Sequence, residues 1–286
     1  MLISFLALAA LVQATPATPA VPHPSDAIAA DWKPIPDDEL LVITLAGNRT
    51  VVIRLAARYA PEHVANVRRL ALAHWWDGLS VYRVQENWVT QWGDATEKKA
   101  LPADVVASPA AEFEIAGFDA ALRLSKADGY SAASGVSADG WPIATDGKAA
   151  WLTHCYGSVG VARDSLPNTG SGSELFTPIG QSARRLDRNY TVVGRIIEGM
   201  KYLSAMPRSD APMGIYAATE QPTGIVSARL ASDMPAAERP HFQYRTTDNA
   251  RYAAYLHSRE NPASPTVATG VEVCELTTGT RRTVAQ

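Results

Sequence analysis

Arg83 has the most chemically suggestive neighbours in the chain. In the run Ser80–Thr96, SVYRVQENWVTQWGDAT, it follows Tyr82 and precedes Trp88, Gln91 and Trp92. An arginine stays protonated and presents a rigid fan of N–H donors, so it needs neither a neighbouring base nor an adjusted pKa. Apolar walls around such a donor limit water and strengthen the hydrogen bond where it acts. Such a donor can hydrogen-bond an acceptor without itself moving a proton or attacking an atom.

Other constellations are weaker. His154-Cys155 offers two adjacent ligand types without a second cluster to complete a metal site. The glycine-rich GSGSE, residues 170–174, lacks the Lys-Ser/Thr ending of a phosphate loop and reads as turn chemistry. Asp164, Ser165 and His154 supply the residue types of a hydrolase triad, yet nothing in their spacing fixes its geometry. Cys155 and Cys274 are the only cysteines and form no C-x-x-C motif. In an oxidising compartment they could form one disulfide across a very long loop, or remain two separate buried thiols. Neither a metal nor an organic cofactor is expected.

The elements that must hold Arg83 are mostly short strands. LLVITLAGNRTVVIRLA, from Leu40, reads as a hairpin around Gly47-Asn48-Arg49. APEHVANVRRLALAHWWDG follows as an amphipathic helix, with Pro61 in its first turn, Val64, Val67, Leu70 and Ala71 on one face, and an end before Gly78. LSVYRV and NWVTQWGD are two more strands; alternation places Val81 with Arg83 on one face and Val89 with Gln91 on another. Further strands are expected in YGSVGVARD, SELFTPIG, YTVVGRIIEG and TGIVSARL, with a short helix at EGMKYLSAM. Many short strands and few helices favour an antiparallel barrel or sandwich over a parallel α/β fold.

The remainder divides by composition. Leu2–Val12 is apolar and runs into small residues, which reads as a secretory signal over residues 1–20; it falls well short of the ~20 residues that span a bilayer. Residues 21–36 are rich in Ala and Pro and read as a linker. The main domain is expected over 37–232, with an insertion at about 95–155, and an extension over 233–286 carries a possible helix (DNARYAAYLHSRE) and a possible strand (GVEVCELTTG). The 286 residues are 47% hydrophobic and 19% charged with a formal charge of -3, which argues against disorder and against a nucleic-acid-binding surface. A monomer without a stable membrane span is expected.

The pieces APEHVANVRRL, VYRVQENWVTQWGD, GVARDSLPNTGSGSELF and LDRNYTVVGRIIEGM occur in an order that resembles the cyclophilin family of peptidyl-prolyl cis/trans isomerases, over roughly Leu40 to Leu230. The resemblance implies a mainly β fold: a closed eight-stranded antiparallel barrel capped by two α-helices, here with a long insertion and a C-terminal extension. The substrate groove of such a barrel lies on its outside, because the interior is filled.

By the same resemblance Arg83 is the catalytic residue, and Trp88, Val89, Gln91, Ala162, Phe176 and Leu186 are groove positions. Arg163, Glu174, Arg185 and Tyr190 fall at groove positions as replacements for the commonest family residues; Glu174 stands for the usual glutamine and Arg185 for a frequent tryptophan. Arg184, Arg185 and Arg188 border the groove in the ARRLDRN loop and could select acidic peptide segments. The implied activity is X-Pro cis/trans isomerisation on unfolded or flexible segments; with the secretory reading of residues 1–20, the clients are expected to be exported proteins, in a bacterium within the periplasm. The alternative is a noncatalytic peptide-binding or chaperone module on the same scaffold.

Overall fold

Eight strands with inward-facing apolar residues close on themselves. The structure, a computed structural model, describes residues 27–267, 269–276 and 278–283. The expected signal and the start of the linker lie outside the described residues. The barrel strands are β1 (Leu40–Leu45), β2 (Arg49–Leu55), β3 (Ser80–Val84), β4 (Val89–Gly93), β5 (Ser158–Val161), β6 (Leu175–Pro178), β7 (Val192–Glu198) and β8 (Thr223–Leu230). They pair in the order β5-β6-β4-β3-β8-β1-β2-β7, with β7 returning to β5 and every pair antiparallel.

Alternation builds the interior. Leu41, Ile43 and Leu45 of β1, Val51, Ile53 and Leu55 of β2, and Trp92, Val159, Val161, Leu175 and Val193 share one core. The β1–β2 turn works because Gly47 and Asn48 take the left-handed conformation, φ 79° and 56°. Helix α1 (Pro61–Leu72) buries Val64, Val67, Leu70 and Ala71 on this core as expected. It ends several residues before Gly78; His74 turns to φ 51°, and Trp75 and Trp76 pack on the same core from outside the helix. Helix α2 (Met200–Ser204) adds Leu203 to that core.

Strand β3 departs from simple alternation. Val81 opposes Trp92 and Arg83 opposes Gln91, so Tyr82 is one residue too many for the partner strand, a β-bulge. Val81 and Val84 therefore both face the core, and Val81 does not share a face with Arg83.

The insertion is an antiparallel sheet of four short strands, Leu122–Arg123, Ala133–Val136, Pro142–Thr145 and Ala150–Leu152. Its Trp141, Ile143 and Leu152 pack with Ala56, Tyr59 and Val192 of the barrel layer. The extension forms helix α3 (Ala250–Glu260), capped by the Asn249 side chain, as expected. Residues 27–36 are not tether, because Trp32–Pro34 pairs with His241–Arg245, which in turn pairs with Thr280–Thr283. The described residues of GVEVCELTTG form no strand either: Val273–Glu275 is a 3-10 turn whose start is capped by the Glu272 side chain, and pairing begins at Thr280.

Insertion and extension share a core made of Leu124, Val136, Tyr252, Tyr255, Leu256, Val273 and Leu276. The Cys155–Cys274 disulfide joins the barrel side to the extension, which decides between the two cysteine readings. Arg54 on β2, 5% exposed, bonds the Asp139 carbonyl at 2.8 Å and its carboxylate at 3.0 Å. Its guanidinium also lies over Trp141 of the insertion and Tyr244 of the extension, 5.0 and 4.3 Å from the ring centres.

Candidate active site

The bulge in β3 sets the site. With Val81 and Val84 committed to the interior, Tyr82 and Arg83 are left on the outer side opposite Gln91, where both line a groove of about 730 Å³. Strand β6 lies on the other flank of β4 and places Phe176 opposite Gln91.

Beside Arg83 is an apolar recess. Val89, Phe176 and Leu186 are buried together, and Trp88, Ala162 and Tyr190 pack against them. The Phe176 ring lies flat across β5: a Cβ on Gly160 would come within 2.3 Å of that ring, so only glycine leaves it room. Tyr190 meets Phe176 edge-on with ring centres 5.4 Å apart, and His154 stacks against it at 6.0 Å.

Arg83 is tied down on three sides. Its Nε donates to the Met213 carbonyl at 2.8 Å, one Nη to Gln91 Oε1 at 3.1 Å and the other to Gln85 Oε1 at 2.7 Å. A guanidinium has five N–H groups, so two have no partner among the described residues. The Met213 carbonyl is brought there by the turn Pro212–Gly214, in which Met213 and Gly214 have φ 59° and 72°. A Cβ on Gly214 would come within 2.6 Å of the Gln85 backbone, so glycine is needed for the turn to lie on β3. Burial pulls the Arg83 pKa down from the ordinary arginine value, but the side chain stays charged at physiological pH.

Behind Gln91 sits a polar pair. Tyr82 donates its hydroxyl to Glu174 Oε2 at 2.7 Å, and Glu174 Oε1 accepts the Asp94 backbone N–H at 2.6 Å. Burial raises the Glu174 pKa. The Tyr82 phenol is raised as well, first by burial and then by the Glu174 charge.

Most of the expected groove residues converge here. Trp88, Val89, Gln91, Ala162, Arg163, Glu174, Phe176, Leu186 and Tyr190 all line the groove with Arg83. Arg163 lies over the Tyr190 ring at 4.9 Å and spends its donors on the Asn189 and Asp164 carbonyls, so it braces the wall. Arg185 is the exception: it is exposed on the 3-10 segment Gln181–Leu186 and does not line the groove. The basic loop also differs from expectation. Arg184 is buried among Asp128, Asp187 and Glu272, and Arg188 pairs with Glu114 and Asp146, so both cations are neutralised locally.

Sequence reasoning missed Tyr82, Gln85 and Met213. A tyrosine directly before the arginine was visible, but the bulge that turns both outward was not. Among the described residues no three His, Cys, Asp or Glu side chains group as a metal site, and no helix is long and apolar enough to cross a membrane.

Residues 40–229 match the family model for cyclophilin type peptidyl-prolyl cis-trans isomerase/CLD. A "probable peptidyl-prolyl cis-trans isomerase" of Brucella suis biovar 1 (strain 1330) is 28% identical over 200 residues, 69% of this chain and 85% of that protein. Its counterpart in Brucella abortus (strain 2308) is 27% identical over the same shares. Among solved structures, the cyclophilin AquaCyp293 from Hirschia baltica superposes with a TM-score of 0.71 at 23% identity, covering 92% of this chain and 99% of that one.

Proposed function

The chain belongs to the cyclophilin-type peptidyl-prolyl cis-trans isomerase family and is an isomerase of that class; from that premise we propose that Arg83 is its catalytic residue and that the recess beside it holds the substrate proline ring. The observation that carries this reading is a fixed guanidinium, two of whose N–H groups have no partner among the described residues, at the mouth of an apolar pocket.

An X-Pro amide turns over a barrier of about 18 to 20 kcal/mol because its C–N bond has partial double-bond character. Twisting ends that conjugation and returns a lone pair to the proline nitrogen. A donor that meets the lone pair only in the twisted state lowers the barrier without strengthening ground-state binding. Val89, Phe176 and Leu186 grip the ring while the acyl side rotates, and Trp88 and Tyr190 close the recess walls. Gln91 holds one Nη of Arg83, and Met213 and Gln85 hold the rest of the fork, so the donor is aimed before substrate arrives.

One charge-assisted hydrogen bond is worth about 1.5 to 3 kcal/mol, or roughly 10- to 150-fold in rate. Arg83→Ala should therefore lower kcat by at least that factor on a short proline peptide, followed by exchange NMR without a coupled protease. Undiminished turnover would overturn the assignment and favour a noncatalytic peptide-binding module.

We further propose that the clients are exported chains, in a bacterium those of the periplasm. The apolar leader with its small-residue boundary supports this. So does a structural disulfide, which persists in oxidising compartments. Prolines in unfolded chains isomerise over tens to hundreds of seconds, slow enough to limit folding. Tracking the chain fused to a reporter in fractionated cells tests the location; retention in the cytoplasm would remove it.

A further inference from the structure

We propose that Tyr82 and Glu174 are positioning residues that fix which way round the Gln91 side-chain amide sits, and so present its carbonyl oxygen to Arg83. The proposal rests on the assignment of Arg83 for its activity readout only. It also reassigns Glu174, whose family position implied contact with substrate, to the support of the catalytic fork.

The geometry is a chain of donors that all point one way. Arg83 donates to Gln91 Oε1 at 3.1 Å, Gln91 Nε2 donates to the Tyr82 hydroxyl oxygen, and Tyr82 donates to Glu174 Oε2 at 2.7 Å. Both oxygens of the last acceptor are engaged, because Glu174 Oε1 takes the Asp94 backbone N–H at 2.6 Å. A side-chain amide can rotate end for end at almost no steric cost, so the shape of the pocket alone does not orient Gln91. The neighbours do. A carboxylate only accepts, so Tyr82 must give its proton to Glu174, and its oxygen is then left to accept from the nitrogen end of Gln91. The oxygen end consequently faces Arg83.

The arrangement is enclosed. Gln91 is 9% exposed, and a Cβ on Gly93 would fall 2.2 Å from Glu174 Oε1, so the backbone of β4 lies directly against the carboxylate. In such a place an unpaired donor is costly, and the order of donors is held firmly.

The commonest family residue at position 174, glutamine, should therefore be harmful here. The Asp94 backbone N–H cannot reverse, so in Glu174→Gln the carbonyl must stay on it and the new NH₂ must face Tyr82. Tyr82 then accepts from position 174 and sends its proton to Gln91. Gln91 turns over, and its NH₂ opposes the N–H of Arg83, donor against donor. Removing the Tyr82 hydroxyl cuts the chain at its middle, leaving Arg83 as the group that orients Gln91.

The test is a set of three variants, Glu174→Gln, Tyr82→Phe and the double variant, with thermal unfolding run alongside peptide isomerisation. Glu174→Gln should lower kcat about tenfold, the scale of one displaced charge-assisted hydrogen bond, with KM changed less than about twofold. Tyr82→Phe/Glu174→Gln should recover to within about threefold of Tyr82→Phe alone. A merely structural role predicts the opposite, since two lost contacts would be worse than one. Wild-type kcat in folded Glu174→Gln, or a double variant no better than Glu174→Gln, overturns the proposal. The Gln91 side-chain amide resonances give a readout independent of turnover: Glu174→Gln should shift them and Tyr82→Phe should restore them. If the wild type shows no Arg83-dependent catalysis, the assignment of Arg83 fails while this readout still decides the positioning claim.

Discussion

Replacing both Cys155 and Cys274 by serine opens a covalent loop of 119 residues that runs from the first turn before β5 to the 3-10 turn of the extension. The cross-link acts chiefly on the unfolded chain, and the chain-entropy relation for a loop of that length gives about 16 cal/mol/K, or about 4.9 kcal/mol at 25 °C. Serine adds little further cost, since both positions are only half-buried. For a chain of this size each kcal/mol moves Tm by about 2–4 °C, so the double variant should melt about 10–20 °C lower. The folded state keeps its other ties between barrel and extension, among them the shared apolar core and the bonds around Arg54. Peptide isomerisation at 25 °C should accordingly stay within about twofold of wild type. Thermal unfolding with and without reductant is the assay: reductant should lower the wild-type Tm by the same amount and leave the variant unmoved. A fall of less than about 3 °C in the variant, or a variant whose Tm moves with reductant as the wild type's does, would refute the reasoning.

Three further outcomes follow from the site and its surroundings. Gly160→Ala puts a methyl 2.3 Å from the Phe176 ring and must push the ring into the recess; kcat/KM should fall about tenfold, mainly through KM, in the same peptide assay. Asp94 is held below the ordinary aspartate value near 3.8 by hydrogen bonds from Lys99, Thr96 and Lys98 that outweigh its desolvation, so its stabilising effect is present above that value and is lost as pH falls through the lowered folded pKa. Asp94→Asn should thus cost about 1–3 kcal/mol in urea unfolding between pH 5 and 8, a deficit that narrows below pH ~3.8. Arg185→Ala should leave turnover on acidic and basic proline peptides alike within about twofold, because the side chain does not line the groove.

The barrel was readable because its strands carry their own pattern. β1 and β2 alternate around a Gly-Asn turn, and α1 repeats its apolar face, so local periodicity and tertiary burial agree. Reading failed where pairing, not periodicity, decides structure. Trp32–Pro34 has only three residues and becomes a strand because His241–Arg245, some two hundred residues on, offers an edge. The strands at Leu122–Arg123 and Ala150–Leu152 are too short to show a period of two. At the site, residue types identified the recess, but the bulge that separates Val81 from Arg83 depends on the register between strands. Arg184 and Arg188 looked like a free basic loop because their partners, Asp128, Glu272, Glu114 and Asp146, are distant in sequence.

Arg54 has a consequence for anyone wishing to shorten this protein. One guanidinium lies over both a tryptophan contributed by the insertion and a tyrosine contributed by the extension, on the wall of the barrel. Trimming away either decoration strips one ring and leaves a desolvated cation half-clothed on a greasy patch, whereas removing both returns it to water. A minimal catalyst should therefore be cut on both sides at once, with Arg54 exchanged for a residue suited to a solvated strand.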